Sequence, residues 1–155
     1  MNRNLAQDLR TEPRALVLAR SIERVDLAHL RARATEFELT PRRRARALRA
    51  ALIRFRIGHR RLWGPILLDL MAPAIVSRVG RFRPQPPAIS EEDIAQQLVL
   101  EVLIAAATMP FEDPPRFVER QLAMRAAWRV SRWLTTMRLR QAYQIPLLEV
   151  GNDDA

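Results

Sequence analysis

The placement of proline constrains this chain more than any other feature. Of its 11 prolines, most stand where helical patterns begin or end, and no stretch sustains the apolar–polar alternation of a half-buried strand. With only 4 glycines and an abundance of Ala, Leu, Arg and Glu, the chain reads as four or five helices joined by short proline-containing links. The expected fold class is all-α, a compact multi-helix domain with additional N-terminal helices.

The punctuation places the helices. A first helix is expected from near Thr11-Glu12-Pro13 to about Glu36, with Leu18, Ile22 and Val25 as its apolar stripe. A second starts at Thr40-Pro41, an N-cap followed by proline at the first helical position, and reaches toward Gly58. Its opening carries Arg42, Arg43, Arg44, Arg46 and Arg49, where positive charge opposes the helix dipole unless something anionic compensates. The third pattern, Arg60 to Phe82, contains Pro65 and Pro73 and is expected to break or kink at one or both. The link RPQPPAIS follows and marks a boundary. Ser90, with Asp93 three residues on, opens a helix that Pro110 closes. The last helix runs from about Pro115 to Arg140 or beyond, and the end GNDDA reads as a frayed acidic tail. The implied division is 1–58 as an N-terminal helical extension, 59–145 as the main domain and 146–155 as the tail.

Two helix faces bear on function. At about 100° per residue, Asp93, Gln96, Gln97 and Glu101 share one side of the Ser90 helix, while Ile94, Leu98, Val102 and Ala105 take the other. That polar strip is either a cap with a solvent face or a surface for a partner. In the last helix Arg125, Arg129, Arg132 and Arg140 fall within a sector of roughly 80°, opposite Ala126, Val130, Leu134 and Met137. Trp128 flanks the arginines and Trp133 borders the apolar side. Tryptophan beside a row of arginines suits gripping a phosphate backbone and stacking an unpaired base, and it equally describes an amphipathic helix packed on a neighbour.

Charge narrows the partners. The formal net charge is +9, and all 26 basic residues are arginine. Arginine's planar fork grips phosphate bidentately, although a GC-rich coding sequence alone also replaces lysine. The sign predicts anionic partners: nucleic acid, a membrane surface or an acidic protein. With 0 cysteines there is no thiolate metal site or cysteine nucleophile, and His29 and His59 stand far apart, as surface or capping residues. No glycine-rich phosphate loop or metal motif is present, so no enzymatic activity, metal, cofactor or small-molecule substrate is expected. No apolar run is expected to span a membrane and the N-terminus lacks a signal-peptide core, so a cytoplasmic location without membrane attachment is expected.

Taken in order, three segments resemble region 2, the core domain of bacterial RNA polymerase sigma factors. LLDLMAPAIVSRVGRF is similar to the family's first core helix. SEEDIAQQLVLEVLIAA is similar to its second, with Asp93, Ile94 and Gln96 matching and Gln97 standing where Glu is common. RFVERQLAMRAAWRVSRWLTTMRLRQ is similar to its third. The resemblance covers roughly residues 60–142, and the C-terminal helix-turn-helix domain of most sigma factors has no counterpart. It implies a transcription factor that binds the RNA polymerase core through Asp93, Gln96, Gln97 and Glu101. It further implies that Arg125, Trp128, Arg129, Arg132, Trp133, Arg138 and Arg140 hold single-stranded or melting promoter DNA. The alternative is a non-enzymatic Arg-rich helical adaptor for nucleic acid or an acidic protein, without promoter specificity. A peripheral membrane protein is a third reading.

Overall fold

The computed structural model describes residues 26–36, 39–84 and 88–150, with backbone alone for 144–150. Its described residues form five helices and no strand: α1 Leu27–Glu36, α2 Pro41–Ile57, α3 Arg60–Val79, α4 Glu91–Thr108 and α5 Val118–Val150. The all-α expectation holds.

Short-range chemistry sets where each helix begins. Asp26 starts α1, its carboxylate accepting from the His29 N–H at 2.7 Å. A helix running unbroken from Pro13 to Glu36 is therefore not formed, because Asp26 is a non-helical cap; Leu18, Ile22 and Val25 lie outside the described residues. Thr40 caps α2 by accepting from the Arg43 N–H at 3.3 Å, with Pro41 as the first helical residue, as the sequence predicts. Ser90 and Asp93 complete a reciprocal capping box at α4: Asp93 N–H donates to Ser90 Oγ at 3.1 Å, and Ser90 N–H donates to Asp93 Oδ2 at 2.8 Å. The last helix starts at Val118, after Phe117 in the left-handed region at φ 51°. Its backbone continues to Val150, so the expected tail at 146–155 is helical through its first five positions, and 151–155 lie outside the described residues.

α3 is the central helix. It runs without a break through both Pro65 and Pro73, contrary to the expected interruption. Each proline forfeits one intrahelical hydrogen bond. Packing offsets that loss, because Leu67, Leu68, Met71, Ala72 and Ile75 are all buried against the surrounding helices. By length and composition α3 is apolar enough to cross a membrane, which the sequence reading discounted; here that apolar surface lines the core.

The core also removes the boundary at residue 58. Leu30 of α1 and Leu48, Leu52 and Phe55 of α2 are buried in the same cluster as Met71, Val99, Val102, Leu122, Ala126 and Val130. α1 and α2 are walls of one domain, since removing them would expose the apolar side of α3.

Polar contacts stitch the walls together. The Glu92 carboxylate accepts from the Leu27 N–H at 3.1 and 3.2 Å, so α4 supplies an anion to the N-terminus of α1. Arg31 pairs with Glu91 at 2.7 Å and Arg33 with Asp69 at 3.0 Å. At the other end of α4, the Arg56 guanidinium donates from Nε to the Ala106 carbonyl at 2.8 Å and from Nη2 to the Met109 carbonyl, and lies 5.0 Å over the Phe111 ring. It closes the open carbonyls of a helix that has no basic residue in its own last turn. Burial first, and then the charge of Arg60, holds the Arg56 pKa below the ordinary arginine value.

Candidate nucleic-acid interface

α5 presents its polar side to solvent because Leu122, Ala126, Val130 and Leu134 recur at four-residue spacing and are buried. On the opposite side stands Trp128, 47% exposed. Three guanidiniums surround its indole: Arg132 at 4.9 Å, Arg125 at 5.2 Å and Arg129 at 5.5 Å from the ring centroid. Offsets of three and four residues bring Arg125 and Arg132 onto the same helix face as Trp128, while Arg129 is its sequence neighbour.

The electrostatics of this cluster are one-sided. Between Arg120 and Tyr143 the helix carries six arginines and no carboxylate. Cation–π attraction at an exposed site contributes only about 0.5–1 kcal/mol per contact and leaves the mutual repulsion of the guanidiniums uncompensated. An anion arriving here meets donors already gathered around an aromatic plane. Chemically the arrangement can grip phosphates with the arginines and offer the indole to a planar base.

The remaining expected residues of this face lie apart from the cluster. Trp133 is about 140° round the helix from Trp128. It is half-buried, packs on the core and lines a hollow of about 360 Å³ between α4 and α5 with Gln96, Gln97, Leu100 and Met137. Trp133 thus packs on the core, away from the indole that Arg125, Arg129 and Arg132 surround. Arg138 and Arg140 are exposed, but about 15 and 18 Å further along the helix axis than Trp128 at 1.5 Å per residue. Sequence reasoning passed over Met124, Leu139 and Tyr143, which are exposed on the same solvent side as Trp128. The available signal was apolar side chains falling within the sector opposite the core stripe.

The polar strip of α4 is mostly committed within the chain. Asp93 holds the capping box, and its neighbours Glu91 and Glu92 serve α1. Glu101, expected on the exposed strip, is buried and accepts a hydrogen bond from Gln97 Nε2 at 3.2 Å. Eight residues beyond Asp93 the helix has turned a further 80° or so, which carries Glu101 beneath its neighbours. Gln96 remains exposed, and Gln97 is half-buried.

Comparison with family models, curated proteins and solved structures finds no match to this chain.

Proposed function

We propose that this protein is a non-enzymatic binder of single-stranded or melting nucleic acid. The α5 face is the binding surface: Trp128 stacks an unpaired base while Arg125, Arg129 and Arg132 hold the flanking phosphates. The observation that carries this reading is three guanidiniums within 5.5 Å of one half-exposed indole, on a stretch of helix without a carboxylate. Stacking contributes about 1–3 kcal/mol per base and needs a base that is not paired, so the site favours single strands over duplex.

Fluorescence anisotropy with a labelled oligonucleotide, presented single-stranded and as duplex, tests the proposal. Tighter binding of the single strand is expected, with a loss of about 5- to 150-fold in Trp128→Ala. Equal affinity for both forms, unaffected by Trp128→Ala, contradicts it and leaves an Arg-rich adaptor for an acidic protein as the better description.

The resemblance to sigma region 2 supports a narrower role within this reading, as a factor that joins the RNA polymerase core and promoter DNA. Of the four residues expected on the polymerase side, Gln96 is exposed, has no side-chain hydrogen bond among the described residues, and lines the hollow together with Trp133. Capture of bacterial core polymerase by the wild type and its loss in Gln96→Ala is the expected result. Failure of the wild type to capture polymerase removes this narrower role and leaves strand binding standing.

A further inference from the structure

A second group of arginines gathers where α2, α3 and α5 meet. An open trough of about 400 Å³ there is lined by Arg44, Ser77, Arg78, Arg81, Glu119 and Arg120. It shares Arg44, Glu119 and Arg120 with a second hollow of about 460 Å³, which adds Arg49, Arg116 and the exposed ring of Phe117. Glu119 is the single carboxylate lining either one, and it is taken by Arg44 at 2.9 Å. Arg78, Arg81 and Arg120 have no carboxylate partner among the described residues.

A second observation points the same way. α2 carries seven arginines and no carboxylate, and its first turn holds Arg42, Arg43 and Arg44 at the positive end of the helix dipole. That placement opposes the dipole, and Glu119 offsets it for Arg44 alone. A polyanion lying in the trough would relieve the repulsion between its unpaired guanidiniums and add negative charge near this end of α2.

We propose that this trough is a second subsite of the surface, and that it carries the phosphodiester backbone of the strand whose base stacks on Trp128. The inference rests on the proposed function and extends its footprint from one helix to three. Arg120 lies about 12 Å along α5 from Trp128, three to four nucleotide steps at the duplex rise of 3.4 Å per strand. One strand thus spans both sites. The trough is dominated by arginine, so its contacts are to phosphate and carry no preference for base.

Salt dependence of oligonucleotide binding tests this on the full chain. The probe is a labelled oligothymidylate of about 20 nucleotides, longer than the site. The variants are Arg78→Gln/Arg81→Gln/Arg120→Gln and, as a control of equal charge change where α2 ends and α3 begins, Arg54→Gln/Arg60→Gln/Arg61→Gln. Losing three phosphate contacts lowers the slope of log Kobs against log salt by about 2 for a single strand. The expected result is that fall in the trough variant, little change in the control, and recovery of the slope when the three trough arginines become lysine. Arg81→Gln/Arg120→Gln, at two exposed positions, is expected to lose between 1 and 2 units of slope, about 0.7 per contact, and guards against misfolding through half-buried Arg78. An unchanged slope in the trough variants, or an equal fall in the control, overturns the subsite. Trp128→Ala run in parallel separates the two claims. If that variant binds normally while the trough variants lose slope, the stacking reading fails and the trough stands.

Discussion

Replacing Asp93 with alanine removes the carboxylate half of the capping box at α4, in which Asp93 Oδ2 accepts from the Ser90 N–H and hydroxyl, and leaves the bond from its own backbone N–H to Ser90 Oγ. The expected cost is about 0.5–1.5 kcal/mol of stability, read as a lower urea midpoint at unchanged slope. Glu92→Gln is expected to weaken the same unfolding transition by a fraction of that, through loss of the charge facing Leu27 N–H at the start of α1. If either change leaves stability intact while abolishing capture of a partner, the acidic turn is an interaction surface and the structural assignment is wrong. The Ser90–Asp93 pair was legible because both residues lie within one turn. The bond from Leu27 to Glu92 was not, since 65 positions separate the two and only the packed fold joins them. Glu101 illustrates the same limit: a helical wheel gives its angle, whereas its burial depends on which neighbours cover that angle.

At the scale of the element, Pro73 tests how far packing overrides local propensity. Pro73→Ala restores an N–H to the middle of α3, and the gain of a helical hydrogen bond outweighs the added entropy of the unfolded chain. Thermal unfolding is expected to show a stabilisation of about 1 kcal/mol or more, and a destabilised variant would mean that the proline ring itself is a packing element. Arg56→Ala is expected to act in the opposite direction by about 1–3 kcal/mol, since the carbonyls of Ala106 and Met109 lose their donor and Phe111 its stacked guanidinium. Start signals at α2 and α4 were legible in Thr40-Pro41 and Ser90-x-x-Asp93. The continuity of α3 was not, because its two prolines argue locally for a break and the helices packed around it argue for none. In α5 the four-residue recurrence of the core stripe made the opposite face readable, including the adjacency of Trp128 to its arginines. Trp133 was harder to place, sitting at the edge between the two faces, where the wheel does not decide.

For the whole molecule, a chain beginning at residue 59 is expected not to fold. It lacks Leu30, Leu48, Leu52 and Phe55, each fully buried, and large-to-small changes at such positions cost about 2–5 kcal/mol apiece against a typical total of 5–15. Circular dichroism and urea unfolding of the truncated chain check this, and a cooperative transition in it would restore residue 58 as a domain boundary. The net charge of +9 was readable at once, and it named a class of partner. Its distribution was not readable, because the trough draws its arginines from three helices that are far apart in sequence. The central claim is that an unpaired base stacks on Trp128. The most direct measurement uses Trp63→Phe/Trp133→Phe, which leaves Trp128 as the sole source of tryptophan emission among the 3 tryptophans of the chain. Titration with a single-stranded oligonucleotide is predicted to quench that emission along the same curve as the anisotropy of the bound strand. Saturable binding of the oligonucleotide with unchanged Trp128 emission would contradict it.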